Sequence, residues 1–158
     1  MQTNVPPSDE EVTAFQVATR DLIDVAVRSV EVVAPGVSLP QFRLMLVLDD
    51  LGVTPSTKLA RELAVSPSSV TRMADRLVAS GHVTRDRDGE KRSIVALALS
   101  PLGVKTVHEV LSWRHVELAR ILHSVDAADR AAAVRALTTF HSAAASRPEH
   151  SHLGWLPL

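Results

Sequence analysis

The segment SPSSVTRMADRL, residues 66–77, gathers Ser66, Ser68, Ser69, Thr71, Arg72 and Arg76 into barely three helical turns. An arginine offers a planar fork of donors that fits the paired acceptors of a phosphate, a carboxylate or a guanine edge. Serine and threonine add short hydroxyls that let a backbone approach closely. Between them, Val70, Met73, Ala74, Leu77 and Val78 recur at helical spacing. A helix through this stretch therefore turns those five to one side and Ser68, Arg72, Asp75, Arg76 and Ala79 to the other. Such a face suits an anionic or polar partner. From the helix alone, a merely solvated polar face is the competing reading.

A second basic group follows at Arg85, Arg87, Lys91 and Arg92. Residues 55–95 hold eight Lys/Arg against five Asp/Glu, a net charge of +3, whereas the remainder holds nine against thirteen, a net −4. The total of −1 thus hides a local basic segment in an otherwise acidic chain, compatible with an anion-binding surface.

Other chemistries fare worse. With no cysteine, disulfides, thiolate ligands and cysteine redox sensing are excluded. Among seven histidines, His108, His115 and His123 share a helix stripe without an H-x₃-H spacing. His150 and His152 lie in the aperiodic tail. Zinc needs three or four converging ligands, so no metal site and no cofactor are expected. No G-x-S-x-G, glycine-rich phosphate loop or H-E-x-x-H occurs, and the chain is not expected to be an enzyme. Nor does any apolar run reach the ~20 residues of a membrane span. The N-terminus lacks the basic, apolar and cleavage regions of a signal peptide, so no membrane association and a cytoplasmic location are expected.

The elements that must position these residues are well punctuated. Ser8 and Glu11 form a capping box that opens a helix over about 9–33, stopped by Pro35-Gly36. Its apolar stripe (Val12, Phe15, Leu22, Ile23, Ala26, Val30, Val33) is more than one small core can cover. Ser38 and Gln41 open a second helix, ending near Gly52. Thr54-Pro55 is read as the start of a third, short helix and Ser66-Pro67 as the start of a fourth, each with a hydroxyl cap and proline in the first turn. The third and fourth are separated only by Ala64-Val65 and the cap, a helix-turn-helix in which Val65 is expected to plug the corner. Residues 82–88 and 94–100 alternate around Asp88-Gly89, predicting a β-hairpin whose inward side is Val95, Leu97 and Leu99. Ser100-Pro101 opens a fifth helix to about His123, and a sixth runs over about 126–145. The predicted fold class is mainly α with a small β-hairpin wing. A helix-turn-helix followed directly by a basic hairpin reads as a winged helix-turn-helix, the geometry in which a helix enters a major groove and a wing meets backbone or minor groove.

This order of elements resembles the MarR family of bacterial transcription regulators, over about residues 9–145. The most specific stretch is LARELAVSPSSVTRMADRLVASGHVTRDRDGEKRSIVALALSPLG, residues 59–103, with its SVTR, DRL, SGHV and LSPLG segments. The resemblance implies a single MarR-like domain spanning 1–158. Within it, residues 39–100 would form the winged DNA-binding region, 9–34 and 101–146 a helical dimerisation region, and 147–158 a tail. It implies a homodimer binding double-stranded DNA at an inverted repeat, acting as a repressor. By position, Ser66, Ser68, Ser69, Thr71 and Arg72 match recognition-helix residues that meet bases and phosphates, and Arg76 is assigned to phosphate. Arg87, Lys91 and Arg92 match the wing, and Arg85 joins them as a candidate DNA contact carried by the same basic hairpin. Family wings carry D-x-R-R or D-R-R near the second strand. Here DGEKRS places Lys91 where that aspartate is expected, leaving Asp88 and Glu90 as alternative braces. Ala64 stands where a glycine is frequent. The family's small, often aromatic or anionic, effector binds between the dimerisation helices and the winged region, with Phe42, Met45 and Trp113 as candidate lining residues. Core packing is the competing reading of each. The rival function is a winged-helix module that binds protein rather than DNA, although an interface core would want exposed aromatics on the arginine face.

Overall fold

The computed structural model describes residues 5–87 and 95–146. Helix α1 (Asp9–Val33) starts at a reciprocal capping box. The Ser8 amide donates to Glu11 Oε2 at 2.7 Å and the Glu11 amide to Ser8 Oγ at 3.2 Å. The first of these bonds leads in holding the Glu11 carboxyl below its usual range. Helix α2 (Leu39–Leu51) repeats the device with Ser38 and Gln41. It supplies much of the core: Phe42, Leu44, Met45, Leu46 and Leu48 are all buried.

The chain then departs from the sequence reading. Thr54 does not cap a helix. Thr54–Pro55 form a short strand, β1, and the Thr54 hydroxyl donates to the Gly52 carbonyl at 3.0 Å. Helix α3 (Ser56–Leu63) begins after it with Pro55 at the cap position and no side-chain capping bond. The cause is tertiary. Strand β3 (Val95–Leu99) captures β1 in antiparallel register, Thr54 opposite Leu97 and Pro55 opposite Ala96. On its other edge β3 pairs with β2 (Val83–Arg87), from Val83 opposite Leu99 to Arg87 opposite Val95. The predicted hairpin is thus part of a three-stranded sheet of order β1-β3-β2. Leu97 is buried and Leu99 packs against the core as expected, and Ala96, on the opposite face of the strand, is buried too.

Helix α4 (Pro67–Ala79) follows α3 after a tight corner. Val65 does not plug that corner: 36% of it is exposed. The turn is made instead by Ala64, whose backbone is left-handed at φ 53°. Its amide bonds to α3 carbonyls, and the Val65 amide reaches the Ala60 carbonyl at 3.0 Å. Helices α5 (Pro101–His123) and α6 (Ala127–Ala145) follow and are the last elements among the described residues. Arg130 ties their junction by donating to the Val125 carbonyl at 2.6 Å and the Leu122 carbonyl at 3.2 Å.

One core joins α2, α3, α4, β2, β3, the C-terminal end of α1 and the first half of α5. It leaves much apolar surface uncovered. No residue of α6 is buried, and Val12, Phe15, Leu22 and Ile23 of α1 are exposed. Phe15 stacks on Phe140 of α6 with ring centroids 5.1 Å apart. Beside that pair lies an open groove of about 810 Å³ lined by Val5, Pro6, Val12 and Thr19 among others.

Candidate nucleic-acid interface

Helix α4 is fixed from its inner side. Val70, Ala74 and Leu77 are buried, and Met73 and Val78 are half-buried against the same cluster. The opposite face is held out by that packing, with Ser68, Thr71, Arg72, Asp75 and Arg76 all exposed. The division predicted from spacing is therefore the one observed.

At the helix start the hydroxyls cluster. Ser66 Oγ accepts the Ser69 amide at 3.2 Å and shares hydrogen bonds with Ser68 Oγ at 3.0 Å and Ser69 Oγ at 2.8 Å. Ser66 is thus a helix cap first, whose orientation is set before any partner arrives. The Thr71 hydroxyl donates to the Pro67 carbonyl at 3.1 Å, leaving its oxygen lone pairs outward. Arg72 makes one long contact, to Ser69 Oγ at 3.5 Å. Among the described residues neither Arg72 nor Arg76 has an ion-pair partner. Both line a groove of about 350 Å³ with Ser38, Gln41 and Met73, where the start of α2 meets α4. Two uncompensated guanidiniums beside a ring of hydroxyls form a surface that attracts anions and offers forked donors.

The wing residues divide. Arg85 stands on β2, and its guanidinium donates to the Asp75 carboxylate of α4. Arg87 ends β2 at the edge of the described residues. Lys91 and Arg92, with the alternative braces Asp88 and Glu90, lie outside them, as do the tail and its histidines.

The wing is anchored to α4 and α5 through His82. Its amide donates to the Leu77 carbonyl and its carbonyl accepts the Ser100 amide, both at 2.9 Å. Its Nδ1 shares a hydrogen bond with Ser80 Oγ at 2.9 Å. Burial lowers the His82 pKa. Gly103 permits this closeness, because a Cβ there would run into the His82 carbonyl.

For the candidate effector pocket, Phe42 and Met45 are buried core residues and Trp113 is half-buried. None of the three lines the grooves described above. A residue that the sequence reading passed over lies beside them. Arg114 of α5 places its guanidinium carbon 5.9 Å from the centre of the Phe42 ring. It donates to the buried Ser29 hydroxyl at 3.1 and 3.4 Å. Burial lowers its pKa, and no carboxylate among the described residues pairs with it. Its only sequence signal was a charge interrupting an apolar helix, which many solvated arginines share. His108, His115 and His123 are exposed, and no group of three or more potential metal ligands occurs among the described residues.

This arrangement has recognisable relatives. The sequence model of the MarR family matches residues 37–94, from the loop before α2 to the far side of the wing. The chain is 32% identical over 87 residues to the HTH-type transcriptional repressor MdtR of Bacillus subtilis, covering 55% of this chain and 56% of that protein. It is 27% identical over 101 residues to an uncharacterized HTH-type transcriptional regulator of the same organism, YfiV, covering 64% and 63%. The chain thus spans about three fifths of the length of these two curated relatives. The crystal structure of RV1404 from Mycobacterium tuberculosis superposes with a TM-score of 0.80 at 33% identity, covering 89% of this chain and 97% of that one. A helix-turn-helix with a flanking sheet, a matching family sequence from α2 to the start of β3, and a whole-chain structural match agree: the chain belongs to the MarR family.

Proposed function

We propose that this protein is a sequence-specific DNA-binding transcription regulator, acting as a homodimer on an inverted-repeat operator, where it represses until a small ligand releases it. The observation that carries the reading is the outer face of α4, where Arg72 and Arg76 stand exposed among preset hydroxyls, without an ion pair among the described residues. A helix held this way fits a major groove, where arginine recognises guanine O6 and N7 and the other donors meet phosphates. Two copies related by a twofold axis would read half-sites about one helical turn apart. The uncovered apolar surface of α1 and α6 supports the dimer. Likeness to a named repressor supports the sign of regulation. The half-buried Arg114, which has no carboxylate partner among the described residues, supports an anionic effector at the meeting of α1, α2 and α5. Release requires that such a ligand favour one spacing of the two reading heads over another.

The test is titration of the purified protein into a labelled DNA fragment from immediately upstream of its own gene, beside a scrambled fragment. The reading expects saturable binding to the first alone. Arg72→Ala should lose about 1–3 kcal/mol and relax the preference at one base pair. Equal weak binding to both fragments would refute the sequence-specific part. A folded dimer that binds neither at low salt would favour the rival, a winged helix that recognises protein.

A further inference from the structure

The reading face of α4 contains one carboxylate, Asp75, exposed beside Arg72 and Arg76. An anion on a surface that meets phosphates is unfavourable, because it lies well within the ~10 Å over which salt leaves charges unscreened. The structure shows what answers it. Arg85, ten residues along and on β2, turns its guanidinium back onto the Asp75 carboxylate. The backbone makes this direction available. Val83 and Arg85 lie on one face of β2, two residues apart. Val83 is buried in the core that α4 also joins, so that face is turned to the helix. Among the described residues Asp75 and Arg85 have no other charged partner.

We propose that Asp75 and Arg85 form a brace that holds the first wing strand against the reading helix and cancels the Asp75 charge, making Arg85 a positioning residue of the interface rather than a phosphate contact. This rests on the DNA-binding reading above for its functional consequence, but not for the brace itself. The pair adds a charged side-chain link, on the exposed side, between the element that enters the groove and the one that flanks it. It therefore sets the wing's angle where a phosphate-contacting arginine would only add charge. The recognition face is correspondingly reduced to Arg72, Arg76 and the hydroxyls.

Two measurements on the full chain test it. In the first, salt-dependent DNA affinity is compared for wild type, Arg85→Ala, Asp75→Asn and the double variant. Arg85→Ala should weaken binding about two- to fivefold, the range of an exposed charge pair. Adding Asp75→Asn should recover most of that loss, since the exposed anion is gone. The slope of log affinity against log salt should be the same in the double variant as in wild type. A double variant as weak as Arg85→Ala, with a slope shallower by about one phosphate contact, would overturn the proposal by showing that Arg85 itself meets the backbone. In the second, hydrogen exchange of residues 83–87 is followed without DNA. Faster exchange in both single variants is expected, and unchanged exchange in both overturns the brace. Absence of DNA binding by wild type would instead sink the function proposed above, while the exchange result still decides the brace.

Discussion

Arg72 and Arg76 stand one helical turn apart on the same exposed face, and under the proposed function their different surroundings predict different work. Arg72 lies nearer the start of α4, beside the Ser66–Ser69 hydroxyl cluster, and the first turns of a recognition helix reach base edges. Arg76 is a turn further from that end, where a helix crossing a groove meets the sugar-phosphate wall. Arg76→Ala is therefore expected to weaken binding to operator and scrambled DNA by similar factors. It should also flatten the salt dependence by about 0.9 in log–log slope, the counterion release of one phosphate contact. Titrations at three salt concentrations check this. A loss confined to the operator would instead make Arg76 a base reader. The exposure of Ser68, Thr71, Arg72 and Arg76 was legible because the outward face follows directly from the spacing of Val70, Ala74 and Leu77. The pairing of Arg85 with Asp75 was not. It depends on how a strand is packed against a helix, and no local pattern encodes that.

Punctuation made the elements legible where it was local and misled where it was not. Ser8, Ser38, Ser66 and Ser100 each cap the helix they were expected to cap. Thr54 carried the same signature and became a strand, because β3 offered its backbone partners from more than forty residues away. The corner between α3 and α4 shows the same limit. A bulky Val65 looked like the plug, but the turn is a backbone event at Ala64, held at φ 53°. A left-handed residue with a Cβ costs roughly 1–2 kcal/mol, offset in part by the ~0.5–1 kcal/mol that glycine loses through its freer unfolded chain. Ala64→Gly should therefore stabilise the fold by up to about 1 kcal/mol, read as a higher denaturation midpoint in urea. A lower midpoint would mean that the turn is not strained. At the other end of α4, the His82 ring, hydrogen-bonded to Ser80 Oγ, is expected to make the stability of the fold pH-dependent. Burial lowers its folded pKa from the ordinary 6.5, so between those values the unfolded chain binds more protons. Its contribution is complete above about pH 6.5 and is lost as pH falls through the lowered value. His82→Gln should shrink the drop in stability between pH 7.5 and pH 5.5 relative to wild type. An undiminished drop would place the titration elsewhere.

At the scale of the molecule, the single chain leaves a surplus of apolar surface that its own core does not absorb. Helix α6 has no buried residue, although Val134, Leu137 and Phe140 are spaced to share one face of it. The length of α1 beyond the core was legible in the sequence as a stripe too wide for one small domain. A monomer would hold these groups in water at roughly 25 cal/mol per Å² of apolar area. Two chains that bury them together remove that cost, provided the contact reaches the ~1,200–2,000 Å² typical of stable interfaces. In the proposed dimer the seam is expected beside the Phe15–Phe140 pair, which joins α1 to α6 within one chain and borders the exposed apolar surface of both. Wild-type protein should sediment as a dimer. Phe140→Asp should sediment as a monomer with its winged region still folded, because Phe140 is 55% exposed and takes no part in the core. The variant should also separate two contributions to DNA binding. One reading head keeps its contacts through Arg72 and Arg76 but loses the effective concentration supplied by its twin. Operator affinity should then fall by a factor on the order of 10²–10⁴, while the base preference of each half-site survives. A Phe140→Asp protein that remains dimeric and binds the full operator undiminished would mean that the two chains meet elsewhere, leaving the apolar face of α6 for another purpose.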